Sequence, residues 1–101
     1  MKKVRLLAHA RREFYSAITY YETERRGLGK RFRRAAEAAF LQAGETPEHG
    51  RPGVAGTRRM LIKGFPFSVI YLESMDEVIV YAVAHRSRSP GYWLGRMPPD
   101  G

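Results

Sequence analysis

Five side chains near the end of the chain, His85, Arg86, Arg88, Tyr92 and Trp93, follow directly on the seven-residue apolar run Val78–Ala84. Cations and aromatics mounted at the end of a buried strand make a rigid platform for an anion, because loosely held Lys or Arg side chains cannot preorganise around a charge. With Arg59 and Lys63 on an earlier predicted strand, Arg86 and Arg88 could stabilise the charge that develops when a phosphodiester is cut. Metal-free RNA cleavage also needs a base to activate a 2′-hydroxyl and an acid for the leaving oxygen. His85 and Tyr92 are the candidates for proton transfer, His85 because its ordinary pKa lies near neutrality. Strand alternation, however, points His85 away from Arg86, toward the face that helices should cover, where a histidine packs. Tyr92 and Trp93 read as packing residues or partner anchors ahead of an acid and a stacking platform.

Other chemistry is sparse. The chain has no cysteine, which excludes disulfides, a thiol nucleophile and cysteine-based metal sites. His9, His49 and His85 are widely separated, with no carboxylate at ligand spacing, so neither metal nor cofactor is expected. The serines have no triad context, and Gly27-Leu28-Gly29 reads as a helix break. The net charge of +8 points to an anionic partner, nucleic acid or acidic protein. It is concentrated at one end: residues 1–34 hold 11 Lys/Arg against three Glu, and the remainder holds seven of each sign. Arg11-Arg12, Arg25-Arg26 and the Lys30–Arg34 cluster could grip phosphates or an acidic segment, or form a solvated helix face. The opening MKKVRLLAHARREF is a poor signal peptide, its apolar stretch interrupted by His9 and Arg11. The longest apolar run is far short of a membrane span, so a cytoplasmic protein without a membrane partner is expected.

The elements that must position the cluster follow from periodicity. Lys3–Ala8 reads as a first strand. Phe14, Ala17, Ile18 and Tyr21 form the stripe of an amphipathic helix from about Ala10 to Arg26, ending at Gly27. Leu28, Phe32, Ala36, Ala39 and Ala43 mark a second helix over about Gly29–Ala43. The short gap between the two predicts an antiparallel hairpin. The Gly- and Pro-rich stretch Gly44–Gly56 reads as a loop without regular elements. Strands at Thr57–Lys63, Phe67–Glu73 and Glu77–Arg86, joined by tight turns, predict a meander. The expected fold is α+β, β-α-α-β-β-β, with the helical hairpin on one face of a small, mainly antiparallel sheet and the other face open or partner-covered. Residues 1–97 form one domain and 98–101 a frayed tail. Simple alternation puts Val78, Val80, Ala82, Ala84 and Arg86 on one face, opposite Ile79, Tyr81, Val83 and His85. The open side could then bring Arg59, Lys63 and Arg86 together.

This order, with its local motifs, resembles the RelE/ParE family of toxins from bacterial type II toxin–antitoxin systems over nearly the whole chain. The motifs are Tyr20-Tyr21-Glu22, the Gly27-Leu28-Gly29 break followed by Phe32, Arg59 in the first meander strand, and Phe65-Pro66-Phe67 leading into Val69-Ile70-Tyr71. Last comes Val83 with His85-Arg86, Arg88, Pro90 and Trp93. The resemblance implies an antitoxin partner and one of two activities. RelE-like members are ribosome-dependent endoribonucleases that cut messenger RNA with basic residues and a tyrosine; ParE-like members lack most of that set and inhibit DNA gyrase by binding. On the nuclease reading Arg59, Lys63, Arg86 and Tyr92 are catalytic. On the binding reading Arg59, Arg86, Arg88 and Trp93 contact the target or the antitoxin. Leu61 and Ser68 stand where the nuclease branch carries basic residues, which favours the ParE-like, plasmid-stabilisation branch. A non-toxic basic nucleic-acid-binding module is the alternative from another class.

Overall fold

The structure is a computed structural model that describes residues 1–97; the expected tail at 98–101 lies outside the described residues. Strand β1 (Lys3–Leu6) runs into helix α1 (Ala8–Glu24), and helix α2 (Leu28–Glu45) returns antiparallel to it. Strands β2 (Arg51–Pro52), β3 (Arg58–Ile62), β4 (Phe67–Glu73) and β5 (Glu77–His85) follow. The sheet order is β1-β5-β4-β3-β2; β1 pairs parallel with β5 and every other pair is antiparallel. The α+β architecture and element order are as expected from the sequence. The Gly44–Gly56 stretch is more regular than expected. Helix α2 runs two residues past Ala43, and short 3₁₀ turns at Pro47–His49 and Val54–Gly56 flank β2. Pro52 is tolerated there because β2 is an edge strand.

The helices bury the predicted stripes. Ala10, Phe14 and Ala17 of α1, and Phe32, Ala36, Ala39 and Ala43 of α2, pack on Met60, Ile62, Val69, Tyr71, Val78, Val80 and Val83. The Phe-Pro-Phe turn and the Tyr-Tyr-Glu motif meet in this core. Tyr21 lies 5.0 Å from Phe65, centroid to centroid, and 5.2 Å from Phe32, which in turn stacks edge-on against Phe67. Such tilted and edge-on pairs favour the aromatic quadrupoles.

Glu22 closes the helical hairpin. Its carboxylate accepts the N–H groups of Gly27 (2.9 Å) and Gly29 (3.0 Å), capping α2 in place of the usual Ser, Thr or Asp. These amide bonds, led by that from Gly27, hold the carboxyl below the ordinary carboxylate range. Gly27 adopts φ 87°, a left-handed conformation that glycine enters freely. Gly29 is required for a different reason. A Cβ there would stand 2.6 Å from the Ile18 carbonyl oxygen and 2.9 Å from the Glu22 Cβ, so the close approach of α1 and α2 leaves no room for one.

One register feature departs from simple alternation. Ile70 pairs with Ala82 but Tyr71 pairs with Val80, so Tyr81 is the extra residue of a β-bulge. The bulge reverses the facing of the strand's second half. Val78, Val80 and Val83 face the helices, while Tyr81 and Ala82 both join the second face. Placing Ala82 with Val80, and Val83 with Tyr81, is therefore corrected by the bulge, which periodicity alone does not reveal.

Candidate functional site

The second face of the sheet is built from the rows Arg59–Ile70–Ala82 and Leu61–Ser68–Ala84, each read across β3, β4 and β5. Its floor is small and uncharged at Ser68 and Ala84. Around this floor lie two adjoining clefts. One, of about 350 Å³, is bordered by Arg59, Arg86, Arg88, Tyr92 and Trp93. The other, of about 740 Å³, is bordered by Arg51, Arg59, Leu61, Lys63, Ser68 and Arg86. Among the described residues no carboxylate lines either cleft. Like charges held together without counter-ions raise the local potential and attract an anion. Arg51, Arg59, Lys63, Arg86 and Arg88 are all exposed, so their charge is available to a partner. Arg58 differs, because its guanidinium donates to the Gly50 carbonyl at 2.8 Å.

The segment after β5 folds back over part of this face, which is thus less open than the sequence suggests. Trp93, 5% exposed, packs with Ile70, Tyr81 and Ala82, and Leu72, Ile79 and Met97 surround that cluster. A carboxylate reached from the other layer holds the segment down. Glu13 of α1 receives Tyr92 Oη–H at 2.7 Å, the Arg96 guanidinium through two bonds of 2.9 Å, and the Val83 N–H at 3.0 Å. Arg96 also donates to the Tyr81 carbonyl at 3.0 Å. Strand β1 pairs with β5 only as far as Val80, so the edge groups of Tyr81 and Val83 lack a strand partner there. Arg96 and Glu13 satisfy one each, a side-chain substitute for the missing ladder.

The electrostatics follow from this geometry. Burial pushes the Glu13 carboxyl up, but the bonds from Arg96, Tyr92 and Val83 outweigh it and hold the group below the ordinary carboxylate range. Burial and then the Glu13 carboxylate push Tyr92 up, to about 12. Arg88 lies with its Cζ 3.8 Å from the Tyr92 ring centroid, and Arg96 with its own at 5.0 Å.

The residues singled out in the sequence fall as follows. Arg59, Lys63 and Arg86 border one cleft, as the strand faces suggest, and Arg59, Arg86, Arg88, Tyr92 and Trp93 border the other. Trp93 contributes as a buried wall. His85 stacks edge-on against Phe67 at 5.0 Å, and its Nδ1 accepts the Ser87 N–H at 3.0 Å, so it turns to the aromatic core as its neighbours imply. Glu13 and Arg96 were not legible as site residues. A faint signal for Glu13 exists: with Ala10, Phe14 and Ala17 it completes the i, i+3, i+4, i+7 spacing of a buried helix face.

A family model described as the ParE toxin of type II toxin–antitoxin system, parDE, matches residues 4–90 of the chain. Among solved structures, a chain of the chromosomal ParDE TA system from P. aeruginosa has the same fold, with a TM-score of 0.59. Its sequence identity is 16%, and the match covers 84% of this chain and 96% of that one. No curated protein sequence matches.

Proposed function

The chain belongs to the ParE toxin family of type II toxin–antitoxin systems, and we propose that it acts by binding its target, DNA gyrase, through the cationic second face of the sheet. The observation that carries this reading is the Tyr92–Glu13 bond. A general acid works best with a pKa near the operating pH, whereas Tyr92 is raised to about 12 and its hydroxyl donates to Glu13. His85, the other proton-transfer candidate, packs on Phe67. Arg59, Arg86 and Arg88 supply exposed charge on one cleft, an arrangement suited to recognising an acidic surface. The cognate antitoxin neutralises the toxin by laying an acidic segment over the same charges, with apolar anchors beside them. Residues 1–97 act as one domain, and the toxin works in the cytoplasm, where gyrase is found. No helix among the described residues is long and apolar enough to cross a membrane.

A second reading, ribosome-dependent cleavage of messenger RNA, is favoured by the convergence of Arg59, Lys63 and Arg86 on one cleft. Induced expression with parallel assays separates the two. Gyrase inhibition is expected to abolish supercoiling and leave messages intact; message cuts removed by Arg86→Ala would establish the nuclease instead.

A further inference from the structure

We propose that Glu13 is a positioning residue for the toxin's cationic site, acting through Tyr92 on Arg88. The proposal rests on the reading that this face engages the target. Arg88 sits in the exposed segment Arg86 to Pro90 after β5, where its N–H closes a turn on the His85 carbonyl at 3.0 Å but its side chain projects from the surface. A free arginine on such a segment would sample many rotamers, and a partner that docks on it must overcome that entropy. Here the guanidinium already lies on the Tyr92 ring at 3.8 Å, a cation–π distance. The ring can hold it only if the ring itself is fixed.

Glu13 supplies that fixation. Four hydrogen bonds converge on its carboxylate, from Val83 N–H, Tyr92 Oη–H and two Arg96 nitrogens, at 2.7 to 3.0 Å. The Val83 bond ties the carboxylate to the sheet, the Tyr92 bond ties the ring to the carboxylate, and the Arg96 fork ties down the turn that follows Trp93. The side chains of Glu13 and Arg96 are 18% and 15% exposed, so the pair is largely sheltered from solvent screening. Charge is also allocated. Arg96 neutralises Glu13, which leaves the Arg88 charge free for a partner. Helix α1 thus acts on the cationic face through Glu13, which borders one groove with Tyr92 and Arg88.

The test uses the full chain and two readouts. The first needs no target. The Arg88 Nε–Hε NMR signal is expected upfield in the wild type, shifted by the Tyr92 ring current, and to move to the position of a free arginine in Glu13→Gln. An unmoved signal in folded Glu13→Gln would overturn the proposal. If that variant fails to fold, Arg96→Lys, which keeps the charge but loses the fork, carries the same comparison. The second readout is inhibition of gyrase supercoiling. Glu13→Gln and Arg88→Ala are each expected to weaken inhibition by about tenfold, and the double variant by no more than Arg88→Ala alone. A double variant weaker by the product of the two would mean that Glu13 acts otherwise than through Arg88. Wild-type protein that leaves supercoiling untouched would reject the gyrase reading, and the NMR comparison would then decide the positioning role by itself.

Discussion

The hydroxyl of Tyr92 donates to Glu13 Oε2 at 2.7 Å, joining the segment after β5 to helix α1 and committing that proton to a carboxylate. Tyr92→Phe retains an aromatic ring beside Arg88 and removes the hydroxyl that ties it to Glu13. We expect it to lower stability by about 1.5–3 kcal/mol, as for a hydrogen bond to a charged group. Growth inhibition by the variant should weaken, to about the level of Glu13→Gln, without disappearing. Urea unfolding and plating efficiency after induction check the two halves; complete loss of toxicity from a folded Tyr92→Phe protein, beyond that of Glu13→Gln, would point to a catalytic hydroxyl.

The Glu13 network makes docking of the segment pH-dependent at both extremes. Tyr92 is raised in the folded state, so its contribution is fully present below pH 10 and is lost as pH rises through about 12. Glu13 is lowered, so its contribution is present above the ordinary carboxylate range and is lost as pH falls through its depressed value. Trp93, the single tryptophan, reports the transition. Its fluorescence should hold a plateau at neutral pH and change at both ends. Because burial also raises Tyr21 and Tyr71, the alkaline change belongs to Tyr92 to the extent that Tyr92→Phe diminishes it.

Gly29→Ala tests the helix crossing. The added methyl group would stand 2.6 Å from the Ile18 carbonyl oxygen, which the backbone of α1 cannot easily yield. A cost of about 1–3 kcal/mol is expected, typical of overpacking. The urea midpoint measures it, and a midpoint unchanged from wild type would show that the hairpin can splay without penalty.

The cationic face carries charge without carrying the fold. Arg59 and Arg86 are exposed, so Arg59→Ala and Arg86→Ala should each leave stability within about 0.5 kcal/mol of wild type. Both should slow association with the target at low ionic strength, and the difference should shrink as salt screens the charges. Stopped-flow or surface-binding kinetics at two salt concentrations decide this. Equal association rates across the variants would remove these arginines from the interface.

The fold was legible because its elements are strongly periodic. Phe14, Ala17, Ile18 and Tyr21 on α1, and Phe32, Ala36, Ala39 and Ala43 on α2, leave little choice of face. The cleft residues Arg59, Lys63 and Arg86 were legible for a related reason: strand alternation and two tight turns set their side of the sheet. Three features were hidden. The bulge at Tyr81 inserts a residue without a compositional mark, since tyrosine among valines looks like continuous strand. The Glu22 cap on Gly27 and Gly29 works across a helix break, where no side chain of the usual capping type stands at the N-cap. The Glu13–Arg96 pair links residues 83 positions apart, and nothing local announces that a carboxylate will complete the edge of a strand distant in sequence.

The most direct test of a binding toxin is a titration of purified gyrase with the purified protein, wild type against Arg86→Ala, following supercoiling of relaxed plasmid while ribosome-bound messenger RNA is assayed in parallel. We predict that the wild type inhibits supercoiling at stoichiometric to modest excess, that Arg86→Ala requires a higher concentration, and that the message stays intact with both. Full supercoiling at saturating wild-type protein, with message cuts that disappear in Arg86→Ala, would contradict the account.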